Sequence, residues 1–213
     1  MVDRPLLKNT FLTSYFILMG YTIITLIESL RTPFVHVRNI MNVETTISVV
    51  AGIVYNMFIQ MIDSGKVDLK RITELRYIDW SITTPLILLA ILLFYNPDGP
   101  VRYEYFLALA VLDWGMLGAG YLGETGAISK WTGFGVGFAF LAGLLVLMYS
   151  CCIDRSANHT VFWLFAFIWS LYGVVYMIED EETKNIGYNI LDVLAKALFG
   201  VALWMYFGKV LKF

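Results

Sequence analysis

Asp192 and Lys196 stand four residues apart in the run Leu191-Asp192-Val193-Leu194-Ala195-Lys196-Ala197-Leu198-Phe199-Gly200. On a helix that spacing sets both on one face, a turn apart. Ionisable side chains in so apolar a run are costly, and each marks a functional hypothesis. Two chemistries suit the pair. An ion pair can lock neighbouring helices together, although burying one seldom adds stability by itself. Alternatively, desolvation favours the neutral, nucleophilic amine, which condenses with an aldehyde. The protonated Schiff base so formed is a buried cation in need of a carboxylate, and Asp192 is placed to be one.

A second set lies in Arg76-Tyr77-Ile78-Asp79-Trp80-Ser81-Ile82-Thr83-Thr84-Pro85. Steps of three and four put Arg76, Asp79 and Thr83 on one helix face, with Trp80 and Thr84 on an adjoining stripe. A carboxylate flanked by a guanidinium is expected to stay ionised despite burial; the plainer reading is interhelical glue. Pro85 removes a backbone donor and can bend the helix. Asp113 also lies deep in an apolar run. Glu28 and Glu44 fall near expected helix ends and are read as interfacial, reaching toward headgroups or water.

The elements carrying these residues must be membrane helices. Of 213 residues, 59% are hydrophobic and only 15% charged, against about 25% charged in soluble domains. A formal charge of −2 leaves no basic excess for nucleic acid. A span needs roughly 20 apolar residues, so the length accommodates about seven spans in one domain, residues 1–213. Continuous apolar runs exclude the alternating pattern of a β-barrel. Expected spans cover 11–30, 42–62, 74–94, 101–122, 130–152, 158–178 and 185–208. The turn Asn96-Pro97-Asp98-Gly99-Pro100 is the clearest loop signal. The first span is expected to act as a retained signal. Adjacent Cys151 and Cys152 read as small residues near a membrane interface. Neither a metal-ligand cluster nor a nucleophile–base set stands out, so enzymatic chemistry has no support.

Charge does not orient the bundle. With the N-terminus outside, inner segments hold Arg31, Arg38, Arg102, Arg155, Lys209 and Lys212, while outer ones hold Arg4, Lys8, Lys66, Lys70, Arg71, Lys130 and Lys184. The two sets do not discriminate.

Arg-Tyr-x-Asp-Trp-x-x-Thr-Thr-Pro in the third span and Leu-Asp-x-x-x-Lys in the seventh resemble the motifs of microbial (type 1) rhodopsins, and the small size resembles the compact viral ones. The resemblance covers essentially the whole chain. It implies an integral, multi-pass seven-helix protein with its N-terminus outside and its C-terminus cytoplasmic, forming homo-oligomers (trimers or pentamers) in the bilayer. It also implies retinal, all-trans in the dark and covalently bound to Lys196. Asp79 matches the primary counterion and proton acceptor, Asp192 the second counterion, Arg76 the gate, and Tyr55 a tyrosine bonded to the second counterion. Trp80 and Trp169 match the indoles that sandwich the polyene, and Tyr172 lines the same pocket. The segment from Asp113 through Met116 to Gly120 resembles the stretch beside the ionone ring. Thr84, Ile87, Phe138 and Tyr176 complete the expected pocket. Flat aromatic walls also suit a long apolar ligand on physical grounds.

Departures from the family pattern shape the functional expectation. Eleven residues beyond the counterion, where efficient pumps carry a proton-donating carboxylate, stands Ala90. Gly173 replaces a common proline, and Tyr176 a common tryptophan. Glu181, within Glu179-Asp180-Glu181-Glu182, is best placed among the acidic residues for proton release, although a solvated loop is the plainer reading. The expected function is a light-driven outward proton pump whose donor half runs through water, Glu28, Glu44 or Asn56. A light-gated cation channel lined by Glu44 and Asn56 is the second reading, and a photosensor with little transport the third. Ile87 predicts green absorption.

Overall fold

A computed structural model describes residues 5–65, 68–97, 99, 102–154 and 157–207. Six helices are laid down as α1 (Pro5–Arg31), α2 (Val35–Asp63), α3 (Leu69–Tyr95), α4 (Tyr103–Glu124), α5 (Lys130–Cys151) and α6 (Thr160–Tyr176). The seventh rod is continuous: α7 (Glu181–Asp192), a π-helical stretch (Val193–Leu198) and α8 (Phe199–Phe207). Six rods are long and apolar enough to cross a membrane, and α6 is shorter, at 17 residues. The expected limits at 101 and 208, and the charges Arg4, Lys66, Arg155, Lys209 and Lys212, lie outside the described residues.

α1, α2, α3 and the seventh rod begin before the apolar runs that announced them, whereas α6 is shorter than its expected span of 158–178. Asp68 caps α3 by accepting from the Arg71 amide, and Asp180 caps α7 by accepting from that of Thr183. The capped start at Glu181 turns part of the supposed acidic loop into the first helical turn, where carboxylates oppose the helix dipole favourably.

Rods adjacent in sequence are adjacent in space, and α1 packs against α7 to close the ring. Side chains pointing outward include Phe16, Ile23, Leu30, Trp131, Phe167 and Val174. That apolar exterior identifies a multi-pass integral membrane protein. Glycines let α4 and α5 approach closely: a Cβ on Gly133 would sit 2.8 Å from the Ala119 carbonyl and 3.3 Å from the Gly123 Cα. α3 crosses the centre and contacts α7. Pro85 leaves the Ser81 carbonyl without its usual helical donor. The Trp114 indole Nε1 of α4 supplies one instead, at 2.9 Å. One apolar core fills the end of the bundle near the C-terminus, with Ile40, Ile91, Leu144, Phe165 and Leu203. Another joins Leu7, Phe11, Tyr55, Phe58 and Ile72 toward the N-terminal end. The buried charges lie between these packed regions.

Candidate functional site

Lys196 sits in the π-helical stretch and is 1% exposed. Such widened turns occur mostly at functional positions. Its Nζ donates to Asp79 Oδ2 at 2.6 Å and lies 3.6 Å from Asp192 Oδ1. The two carboxylates differ sharply in their remaining partners. Asp192 Oδ2 accepts from the Tyr55 hydroxyl at 2.8 Å and from Arg76 at 3.2 Å. Asp192 Oδ1 accepts from the Trp80 indole at 3.1 Å and the Tyr172 hydroxyl at 2.9 Å. Asp79 Oδ1 takes no hydrogen bond among the described residues. A proton arriving on Asp192 would have to displace a donor, whereas one arriving on Asp79 Oδ1 displaces none.

The guanidinium of Arg76 is therefore not the flanking partner of Asp79 that helical spacing suggested. It turns to α7, donating to Asn185 Oδ1 at 3.2 Å, to Asp192 and to Asn189 Oδ1, and it also donates to the Tyr55 hydroxyl of α2 at 3.1 Å. The rings of Phe11, Tyr55, Phe58 and Tyr188 surround it at 5.2–5.8 Å, so it is held by both hydrogen bonds and cation–π contacts. Thr83 donates to the backbone carbonyl of Asp79, steadying that turn of α3.

From Lys196 a cavity of about 760 Å³, open mouth included, runs between α3, α4, α5 and α6. Trp80, Thr84, Ile87, Met116, Gly120, Phe138, Trp169, Tyr172 and Tyr176 all line it. Asp113 stands behind that wall and accepts from Thr84 Oγ1 at 2.6 Å. Gly120 keeps its part of the slot open, since a Cβ there would meet the Tyr77 hydroxyl at 2.9 Å. At Gly173 the space a side chain would need is filled by the Phe138 ring. An apolar slot with aromatic walls, open at its mouth and with one amine at its end, fits retinal, the ligand the resemblance implies.

Toward the C-terminal end, Ala90 is fully buried and carries no titratable group. Glu44 is buried as well, at 1% exposure, which overturns its reading as an interfacial residue. α2 begins at Val35, so Glu44 lies more than two turns inside the helix rather than at its end. Its Oε2 accepts from the Tyr21 hydroxyl at 3.1 Å, and its Oε1 has no partner among the described residues. A Cβ on Gly200, one turn beyond Lys196, would collide with that hydroxyl and lie 2.6 Å from Glu44 Oε2. Glycine is thus what admits the pair against the seventh rod. Glu28 is half-buried near the end of α1 and accepts from Arg31 and Trp204. Asn56 is exposed. Its neighbour Tyr55 takes the inward direction, leaving Asn56 about 100° round the helix and outside any interior path.

Toward the N-terminal end, Glu181 Oε2 accepts from Thr73 at 3.0 Å and Oε1 accepts from Lys184 at 2.7 Å. Lys184, counted from sequence among loop charges, is 1% exposed and bridges to Glu124 at 3.0 Å. Sequence reasoning also missed Asn185, Tyr188 and Asn189. Their signal was present: 181, 185, 188, 189, 192 and 196 recur at steps of three and four, a polar stripe down one helix face.

Residues 6–210 match the family described as bacteriorhodopsin-like protein. The green-light absorbing proteorhodopsin of Gamma-proteobacterium EBAC31A08 is 30% identical over 155 residues, covering 62% of this chain and 60% of that protein. Bacteriorhodopsin-I of Haloarcula marismortui is 28% identical over 152 residues, covering 60% and 59%. The chain thus spans about 60% of the length of these curated relatives. The crystal structure of viral rhodopsin OLPVRII superposes with a TM-score of 0.92 at 36% identity, covering 97% of this chain and 100% of that one. By this match and by the seven-rod bundle, the chain belongs to the bacteriorhodopsin-like family of microbial rhodopsins and resembles its viral members.

Proposed function

We propose that this protein is a light-driven outward proton pump, oriented with its N-terminus outside, that carries retinal on the Lys196 amine. Retinal supplies light absorption and an isomerisation that re-aims the nitrogen it shares with Lys196. The chain's residues do the rest. Asp79 receives the proton from that nitrogen. The carrying observation is the 2.6 Å approach of Lys196 Nζ to a carboxylate whose second oxygen takes no hydrogen bond among the described residues. Asp192, tied to four donors, remains the fixed negative charge that keeps a cation at Lys196 tolerable.

With Ala90 inert, Glu44 takes the donor's part on the cytoplasmic side. It is buried, hydrogen-bonded by Tyr21, and packed one turn from Lys196 through Gly200. On the outer side, Arg76 and Asn185 lead to Thr73 and Glu181. Ile87 presents an apolar wall, and green absorption is expected.

The test is illumination of proteoliposomes reconstituted with retinal, read as pH and as voltage-clamped current. A protonophore-sensitive proton flux whose current stays outward over moderate potentials supports the pump. A current that reverses with the driving force would make the protein a channel, and light absorption without either would make it a sensor.

A further inference from the structure

The N-terminal end of the bundle holds a charged cluster that the path from Lys196 to Asp79 does not use: the Lys184 and Glu124 side chains are 1% and 6% exposed, and that of Glu181 is 32% exposed. Lys184 Nζ lies 2.7 Å from Glu181 Oε1 on its own helix and 3.0 Å from Glu124 Oε2 on α4. The cluster is joined to the gate in unbroken steps. Arg76 Nε donates to Asn185 Oδ1, Asn185 Nδ2 donates to Thr73 Oγ1 at 3.1 Å, and Thr73 donates to Glu181 Oε2. Glu124 Oε1 is buried without a hydrogen bond among the described residues. From α5, Lys130 faces the cluster but spends its ammonium on the Ile178 carbonyl at 3.0 Å. Tyr176 donates to the Lys130 carbonyl.

Two carboxylates confined together need a positive charge between them, and a shared proton or a cation can provide it. Here the cation is covalently built in. We propose that Lys184 takes the place of the shared proton in the exit pair Glu124–Glu181, so that no proton is stored there for early release. This rests on the proton-pump reading above. Charge rearrangement after Asp79 gains its proton would travel down the chain from Arg76 and find an ammonium, which cannot leave. Arg76 is itself pinned by Tyr55, Asn185, Asn189 and Asp192 and caged by four rings. Among the described residues of this path, the proton free to depart is then the one on Asp79. It leaves once Lys196 is a cation again, because the restored positive charge 2.6 Å away favours the Asp79 carboxylate. Uptake therefore precedes release in each turnover.

The order is read from the sign of the transient that a pH dye reports after a single flash on the retinal-loaded protein in detergent. Uptake first gives an alkaline transient, release first an acid one. The unmodified protein is expected to give the alkaline sign. Lys184→Met removes the cation and obliges Glu124 and Glu181 to share a proton. The sign should invert, with a protonated-carboxyl infrared band appearing in the dark state. Lys184→Arg restores the cation and should restore the alkaline sign. Adding Glu124→Gln to Lys184→Met should abolish both the acid transient and the new band. A merely structural lysine would shift stability without inverting the sign. An acid transient from the unmodified protein overturns the proposal by itself, whether or not any variant folds. So does an alkaline one from a folded Lys184→Met. Absence of net proton movement under continuous light instead removes the pump reading on which the proposal stands.

Discussion

Lys196 Nζ touches Asp79 Oδ2 at 2.6 Å while staying 3.6 Å from Asp192 Oδ1, although Asp192 is its neighbour by one turn on the same rod. The cross-helix carboxylate wins because the local one is already committed. Tyr55, Arg76, Trp80 and Tyr172 occupy both oxygens of Asp192 with hydrogen bonds, two on each. Asp79 is left with vacant acceptor capacity, and that asymmetry divides the roles.

Replacing Asp79 with Asn should therefore abolish outward proton movement, reducing light-driven acidification to the level of empty liposomes. It should also shift the visible band to the red, because the negative charge that stabilises the ground-state cation is gone. Acidifying the unmodified protein should produce a red shift of the same sign as Asp79 becomes neutral. Pumping by a correctly folded Asp79→Asn variant would show that another group accepts the proton.

Glu44→Gln keeps the hydrogen-bonding shape but removes the titratable proton. Recovery of the dark state is expected to slow by about 10²-fold, the usual contribution of a positioned acid. Added small weak acids should accelerate it again. Flash photolysis measures both effects, and an unchanged recovery would remove Glu44 from the uptake path.

Ile87→Gln places a dipole on the cavity wall and should shift absorption to the blue with the fold intact. An absorption spectrum of the purified pigment is sufficient. An unshifted band would mean that this part of the wall does not face the chromophore.

Trp114→Phe keeps an aromatic side chain but removes the indole N–H, depriving the Ser81 carbonyl of its substitute donor on the apolar outer surface of the bundle. Leaving that acceptor unpaired should cost about 1–3 kcal/mol. The measurement is a lowered thermal midpoint in detergent with little change in the absorption maximum. A wild-type midpoint would indicate that the carbonyl finds another partner.

Much of this arrangement was legible before any coordinates. Apolar runs announced seven spans, and the 76–85 and 191–196 motifs carried the gate, the counterions and the lysine. Helical spacing works for residues on one rod because the 3.6-residue repeat sets their relative direction. It failed for Glu44, whose distance from a helix end depended on where α2 begins, and for Asn56, whose direction depended on how α2 is rotated within the bundle.

The sequence by itself determined which residues are charged, on which helices, and in which register along each rod. It could not say which charges on different rods meet, since that depends on how the rods are rotated and packed against one another. Only the tertiary structure paired Arg76 with Asp192 rather than Asp79, gave Lys196 to Asp79, and lodged Tyr21 and Glu44 against Gly200. It also drew Lys184 out of a supposed loop and into contact with Glu124, sixty residues away in the chain. In a low-dielectric interior a buried charge must find a partner or hydrogen bonds. Where that partner comes from another helix, packing of the whole bundle makes the choice.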